Sequence, residues 1–209
     1  MSENNNNKLL NVAIEISGQF FLAVVVGLIM AVVANAFVEG ARWFADLAAD
    51  KSLLQVSVGG TAISLDLLVT LSAAAALILI VRRVLGITAW SGPAESIYAV
   101  QQSREPLDVR LGLGSTMAAF ISASGGASVG QYGPLVHFGA TLTQVLLSYV
   151  RVNLDRNVFI ACGVAGAISA GFNAPIAGVL FAHEALLRRF SIGAITPIAI
   201  SAIVAYTVN

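Results

Sequence analysis

A glycine-rich break separates two strongly apolar stretches of this chain, over residues 125–139 (GGASVGQYGPLVHFG). Unpaired backbone is costly inside a bilayer and is tolerated there only where it is buried in protein or lines a cavity. Gly130 and Gly133 allow the chain to bend, and Pro134 suits the first position of a new helix. Because the first N–H groups of a helix have no partner within it, the break predicts an anion-coordinating turn.

Charge content supports a membrane setting for this turn. Of the 209 residues, 57% are hydrophobic and 11% are charged, whereas soluble domains carry about 25% charged residues. Several runs approach the roughly 20 apolar residues of a spanning helix, so the sequence predicts an integral membrane protein. The formal net charge is zero and no basic–aromatic pattern points to nucleic acid. We expect no metal site, no enzymatic activity and a structural role for the single cysteine, Cys162.

The chain has the organisation of a single transmembrane domain over residues 1–209, with a disordered cytoplasmic tail at residues 1–8. Long spans are predicted over residues 18–49, 66–85 and 111–123, with a loop at 50–65 that turns at Gly59 and Gly60. Charged stretches at 104–110 and 151–157 are predicted to connect helices at the interface. Shorter or broken helices are predicted at 93–101, 134–149, 158–170, 176–187 and 192–208. Arg82 and Arg83 place the end of the second span, and hence the N-terminus, in the cytoplasm.

Two further breaks lie in apolar surroundings. Ser91 has the chemistry of a helix N-cap, and Pro93 is acceptable in a first helical turn. Residues 172–175 (FNAP) break and restart a helix, after a run rich in small residues such as Gly163 and Gly166. Small residues at this spacing let helices approach closely in lipid. Broken helices that meet at mid-depth are typical of transporters and channels.

Three stretches together resemble the CLC family of chloride channels and chloride/proton antiporters. Residues 91–93 (SGP) are similar to the family's GSGIP segment, although Trp90 replaces its first glycine and the proline falls one position early. Residues 130–134 (GQYGP) stand in the place of G(K/R)EGP, and residues 170–184 resemble AAFNAPLAGxLF…E. The resemblance implies an all-α integral membrane fold, the first half of a CLC-type inverted repeat, with broken and re-entrant helices. The second half of the family's core has no counterpart in this sequence.

The resemblance implies an anion site at the two breaks. Ser91 matches the family's central chloride ligand, and a plain N-cap is the alternative role for this residue. Four other residues match the surrounding anion-binding segments: Gly92, Gly130, Gly133 and Pro134. Chloride would be the transported ligand, and no other cofactor is implied.

Two positions depart from the family's proton-coupling pattern. Tyr132 stands where the family has a gating glutamate, and a phenol with a pKa of about 10 stays neutral at pH 7. It could occlude the pore or lie outside the pathway. Ala185 stands where antiporters have an internal proton glutamate, while Glu184 matches a neighbouring structural glutamate. A register slip of one residue would instead make Glu184 the proton residue. Taken directly, the sequence predicts passive anion conduction without proton coupling.

The remaining expectations concern packing and partners. A hydrogen-bonded packing role is favoured for His137 over metal or proton binding. The implied partners are membrane lipid, a missing C-terminal half or second subunit, and a second copy of the chain in a homodimer. The location implied is a bacterial inner membrane with the N-terminus in the cytoplasm. The alternative function is a non-conducting scaffold, a partial CLC subunit that pairs with a second half or a full-length relative.

Overall fold

The computed structural model describes residues 2–49, 55–58, 61–102, 107–128, 130, 132–149 and 155–209. Over these ranges the chain forms eight α-helices, one π-helical segment and one short β-hairpin. The predicted turn at Gly59 and Gly60 lies outside the described residues, as do residues 104–106 and 151–154 of the two predicted charged connections.

Helix α1 spans Ser2–Ala49 and helix α2 spans Asp66–Leu85. The prediction of a disordered tail at residues 1–8 is therefore corrected, because α1 already includes Ser2 and the residues that follow it. Extending an existing helix costs far less than nucleating one, so a long apolar span can carry polar residues into the same helix. Helix α2 ends as predicted: Gly86 adopts a left-handed φ of 61° and its N–H contacts the carbonyls of Arg82 and Arg83.

Strands β1 (Gln55–Val58) and β2 (Thr61–Ser64) lie between these helices. They pair antiparallel, with Gln55 opposite Ser64 and Val58 opposite Thr61. The sequence analysis predicts only a loop here, and the alternation of polar and apolar residues in β1 (QVSV) was the overlooked strand signal. The hairpin is a small addition to a fold that is otherwise helical.

Helices α3 (Pro93–Gln102), α4 (Val109–Ser124) and α5 (Tyr132–Tyr149) follow. Asp108 caps α4, since its side chain accepts hydrogen bonds from the backbone N–H groups of Arg110 and Leu111. With 16 residues, α4 is about 24 Å long at 1.5 Å per residue, shorter than a bilayer core of roughly 30 Å. Among the described residues, only 16–47 and 66–85 are long and apolar enough to cross a membrane. The third predicted long span is thus one of the shorter helices.

The last helices are α6 (Arg156–Phe172), α7 (Pro175–Phe181) and α8 (Ile192–Val208). Asn173, with a left-handed φ of 53°, ends α6 before the predicted break at Pro175. The helix predicted over 176–187 is present, and its second part, Ala182–Leu187, is π-helical. Helix α8 has the predicted bounds.

Helix α6 is the centre of the packing. Every residue from Phe159 to Ala170 is buried, as expected for a helix that is apolar on all sides. A Cβ atom at Gly139 of α5 would lie 2.6 Å from the carbonyl oxygen of Gly163 in α6. Likewise, a Cβ atom at Gly178 of α7 would lie 2.5 Å from the carbonyl oxygen of Ala165. The predicted role of small residues in close helix packing is confirmed.

Candidate functional site

Two helix starts meet beside the central helix. Helix α3 begins at Pro93 and helix α5 begins at Tyr132. A Cβ atom at Gly133 would lie only 3.6 Å from Cγ of Pro93, so the first turns of the two helices are in contact. Unpaired N–H groups and the positive end of the helix dipole lie at each start. The structure therefore brings together two of the features from which an anion site can be built.

A cavity of about 380 Å³ opens at this meeting point. Its walls come from the starts of α3 and α5 and from α6 and α7. They are formed by Pro93, Tyr132, Gly133, Val136, Ile168, Phe172, Ala174, Ala177 and Phe181. No charged side chain belongs to this lining, so backbone dipoles and hydroxyl groups are the groups here that can attract an anion.

Tyr132, the predicted gate residue, lies in the cavity wall. Its ring packs against Phe172 with centroids 4.1 Å apart and planes inclined by 31°. Gly171 makes room for it, because a Cβ atom there would lie 3.2 Å from the Tyr132 ring. The phenol hydroxyl has no hydrogen-bond partner among the described residues. Tyr132 therefore stays at the helix start and contributes an aromatic surface to the site.

Ser91 makes hydrogen bonds to two neighbouring helices. Its backbone N–H donates to Oγ of Ser115 in α4 at 2.9 Å. Its own Oγ lies 3.3 Å from Oγ of Ser115 and 2.8 Å from Nε2 of His137 in α5. The predicted N-cap role belongs instead to Gly92, whose carbonyl accepts the first helical bond, from the N–H of Ser96. The Ser91 hydroxyl is thus held by a polar cluster and does not cap α3.

The side chain of Glu95 forms a hydrogen bond with the backbone N–H of Gly92. Its carboxylate accepts a hydrogen bond from that N–H at 2.7 Å, which is the back-reaching half of a capping box. Together, Ser91 and Gly92 have both backbone N–H groups engaged, by Ser115 and Glu95 respectively. Sequence reasoning missed Glu95, although an acidic residue three positions after the N-cap residue, here Gly92, is a recognisable capping signal. It also missed Ser96 and Ser115, which belong to none of the motifs that the sequence analysis recognised.

The glycine turn before α5 bends as predicted. Gly130 has a φ of 71° and Gly126 a φ of 87°, a region that side-chain-bearing residues rarely adopt. Helix α5 then starts at Tyr132, so Pro134 is the third helical residue rather than the first. Proline is tolerated there because N–H groups of the first turn have no partner within the helix. Val129 and Gln131 lie outside the described residues.

Glu184 and Ala185 lie away from this cavity, on the π-helical segment. The Glu184 side chain is exposed and makes no hydrogen bond or ion pair within the described part of the chain. The carbonyl of Ala185 accepts a hydrogen bond from the Gln101 side chain at 2.9 Å, which ties the end of α3 to this segment. The described residues contain no cluster of acidic, histidine or cysteine side chains that could hold a metal ion.

Comparison with known sequences places this arrangement in a family. Residues 72–209 match the model of the voltage gated chloride channel family. The "Voltage-gated ClC-type chloride channel ClcB" of Yersinia pestis is 28% identical over 120 residues, which cover 57% of this chain and 29% of that protein. The "Putative chloride channel protein ClcB-like" of Ralstonia nicotianae is 29% identical over 119 residues, or 54% of this chain and 28% of that protein.

Solved structures share the fold. A CLC-type fluoride/proton antiporter superposes with a TM-score of 0.72 at 22% identity, over 93% of this chain and 47% of that one. A slow cyanobacterial Cl-/H+ antiporter gives a TM-score of 0.70 at 22% identity, over 91% and 45%. The chain therefore spans about half the length of the solved structures that it resembles, and its alignment covers under a third of the curated relatives.

Proposed function

This chain belongs to the voltage gated chloride channel family, and we propose that it contributes one half of a pathway for chloride across the membrane. Proteins of this family are integral to the membrane, and its relatives are transporters and channels rather than enzymes. For this chain we propose a bacterial inner membrane, with the N-terminus in the cytoplasm. The end of α2 at Arg82 and Arg83 supports that orientation.

The contact between the starts of α3 and α5 carries the proposal. Each helix start has the effect of about half a positive charge. The two starts approach so closely that a Cβ atom added at Gly133 would be in van der Waals contact with Pro93. The cavity beside them has no charged side chain in its lining that would bind chloride too tightly to release it. Dipoles in an apolar setting act more strongly than in water, so two of them can replace part of the lost hydration of a halide.

We propose that conduction is passive. Proton coupling requires side chains that take up and release protons along the pathway, and the cavity lining contains none that ionises near neutral pH. Tyr132 is a phenol and Ala185 has no ionisable group. The solved relatives are a fluoride/proton antiporter and a Cl-/H+ antiporter, so passive conduction would distinguish this chain from both.

A second half of the pathway is part of the proposal. Apolar side chains of α7 and α8 are strongly exposed, with Ile176 at 75% and Ile192 at 89%. A face of this kind needs lipid or another polypeptide against it. We propose a C-terminal half or second subunit, and a homodimer by analogy with the family.

One observation favours the alternative function of a non-conducting scaffold. The N–H groups of Ser91 and Gly92 are already satisfied within the chain, by Ser115 and Glu95. A helix start whose nearby N–H groups are engaged in this way would pack well without binding an anion. Flux measurements distinguish this function from conduction.

The decisive experiment is chloride efflux from liposomes that contain the chain alone or co-expressed with a C-terminal half. Conduction predicts chloride efflux that Ser91→Ala slows and that Ser148→Ala, on the exposed far end of α5, leaves unchanged. A pH-sensitive dye in the lumen should report no uphill proton movement when a chloride gradient is imposed. Silence of both preparations, with stable co-purification of the two halves, would establish the scaffold instead.

A further inference from the structure

A buried series of hydrogen-bonded side chains ends at Ser91. Ser96 of α3 is fully buried, and its Oγ lies 2.6 Å from Nδ1 of His137. Nε2 of the same ring, which is also buried, lies 2.8 Å from Oγ of Ser91. His137 thus joins a buried hydroxyl on one side to the candidate chloride ligand on the other.

Burial of Ser96 determines which group donates and which accepts in these two hydrogen bonds. Its hydroxyl hydrogen has one acceptor among the described residues, Nδ1 of His137. If Nδ1 carried a hydrogen, it would donate to Ser96 and leave the buried hydroxyl hydrogen of Ser96 without an acceptor, which is costly. Nδ1 therefore accepts from Ser96, and the neutral ring carries its hydrogen on Nε2.

The same reasoning determines what Ser91 presents. Because Nε2 of His137 carries the hydrogen, it donates to Oγ of Ser91. The Ser91 hydroxyl hydrogen then has only Oγ of Ser115 nearby, at 3.3 Å, which is longer than an ordinary O–H···O bond. That hydrogen is free to point at an anion. In the opposite tautomer, Ser91 would donate to His137 and turn its lone pairs outward, where they would repel chloride.

We propose that Ser96 and His137 are positioning residues that set the Ser91 hydroxyl as a hydrogen-bond donor to chloride. The positioning role rests on the proposed function, because it requires that chloride binds at Ser91. The tautomer of His137 can be measured without any anion. The positioning role explains why a histidine with two buried hydrogen bonds lies one helical turn inside α5. It also gives Ser96 an influence on the Ser91 hydroxyl, although neither serine belongs to the lining of the cavity.

The test combines a tautomer measurement with a binding measurement on the full chain in lipid nanodiscs. Nitrogen NMR of chain labelled with ¹⁵N-histidine reports which ring nitrogen carries hydrogen, and a His183→Asn variant assigns the signals to His137. We expect hydrogen on Nε2, and a shift toward hydrogen on Nδ1 in Ser96→Ala. Chloride titration should show binding about tenfold weaker in Ser96→Ala, the size of effect expected for one hydrogen bond to a charged group. Ser201→Ala, at an equally buried serine that donates to the Cys162 carbonyl, controls for general damage and should leave both readouts unchanged.

His137→Gln provides a second variant that keeps an acceptor and a donor of similar reach, and it should bind chloride more tightly than His137→Leu. Hydrogen on Nδ1 in the unaltered chain, or an unchanged tautomer in Ser96→Ala, would overturn the hydrogen-bond chain. A changed tautomer with unchanged chloride affinity would overturn the positioning role. Absence of chloride binding by the unaltered protein would overturn the proposed function and the positioning role that rests on it. The NMR result would still decide which group donates in the hydrogen bonds of Ser96, His137 and Ser91.

Discussion

The carboxylate of Glu95 accepts a hydrogen bond from the backbone N–H of Gly92 at 2.7 Å. A negative charge that belongs to the protein thus lies at one of the two helix starts proposed to attract chloride. The bond stabilises the beginning of α3, because an acidic side chain near a helix start satisfies an unpaired N–H and interacts well with the helix dipole. It also opposes the entry of another anion, so capping and anion binding compete at this position.

Glu95→Gln should tighten chloride binding. The amide oxygen can still accept the Gly92 hydrogen bond, while the repulsive charge is removed. For an exposed carboxylate about 4 Å from the anion, the gain is about 1 kcal/mol at low ionic strength, or roughly fivefold in affinity. Chloride titration at fixed low ionic strength measures it. The matched control is Glu39→Gln, an exposed glutamate that pairs with Arg42 in α1. Equal gains in the two variants would mean that Glu95 acts only through net charge.

Tyr132→Glu should slow chloride flux at neutral pH and recover it at acidic pH. A carboxylate at the start of α5 is attracted by the same helix dipoles as chloride and competes with it. Protonation removes the competing charge, so the loss is present above the pKa of the introduced group and disappears as the pH falls through it. Liposome efflux at several pH values should show about tenfold slower flux than in the size-matched Tyr132→Gln at neutral pH. Identical pH profiles would show that the helix starts exert no pull on anions.

Gly163→Ala should destabilise the protein strongly. A Cβ atom at Gly163 would lie 2.5 Å from the carbonyl oxygen of Gly139 in α5, and overpacking of this kind costs about 1–3 kcal/mol. The matched control is Gly18→Ala in α1, where no atom lies within 4 Å of the added carbon. Cys162 is buried and is the only cysteine in the chain, so its reaction with a thiol-specific dye on heating reports unfolding. A midpoint for Gly163→Ala as high as that of Gly18→Ala would contradict the close contact of α5 and α6.

Gly130→Ala should act through the backbone alone. Its φ is 71°, and no atom lies within 4 Å of an added Cβ atom, so the cost is that of a left-handed conformation, about 1–2 kcal/mol. Because the turn positions the start of α5, we expect weaker chloride binding together with a lower midpoint in the same thiol assay. Gly193→Ala should change neither, because its φ is ordinary and the added Cβ atom would make only an ordinary contact, 3.9 Å from Oγ of Ser191. A normal midpoint and normal binding in Gly130→Ala would show that the turn adopts another conformation.

The lengths of the apolar runs, together with the glycine, proline and arginine residues at their ends, were enough to locate most helices. The bounds of α2 and α8 are as predicted, since Arg82, Arg83 and Gly86 mark one end clearly and a continuous apolar run defines the other. One prediction needed correction, the disordered tail that α1 includes, and one feature was not predicted, the change to π-helix at Ala182. Both depend on how neighbouring segments pack. The free energy of ending or distorting a helix inside a folded protein depends on those contacts and cannot be read from the local sequence.

The membrane setting, the family and the two interrupted helices follow from the sequence by itself, because apolar length and glycine–proline breaks are local properties of the chain. Which groups surround Ser91 was decided only by the tertiary structure. Ser115 lies in α4 and His137 lies in α5. No spacing along the chain relates a hydroxyl in one helix to an imidazole in another. A hydrogen bond depends on the separation of two atoms in space, and that separation is set when α3, α4 and α5 pack together around the central helix.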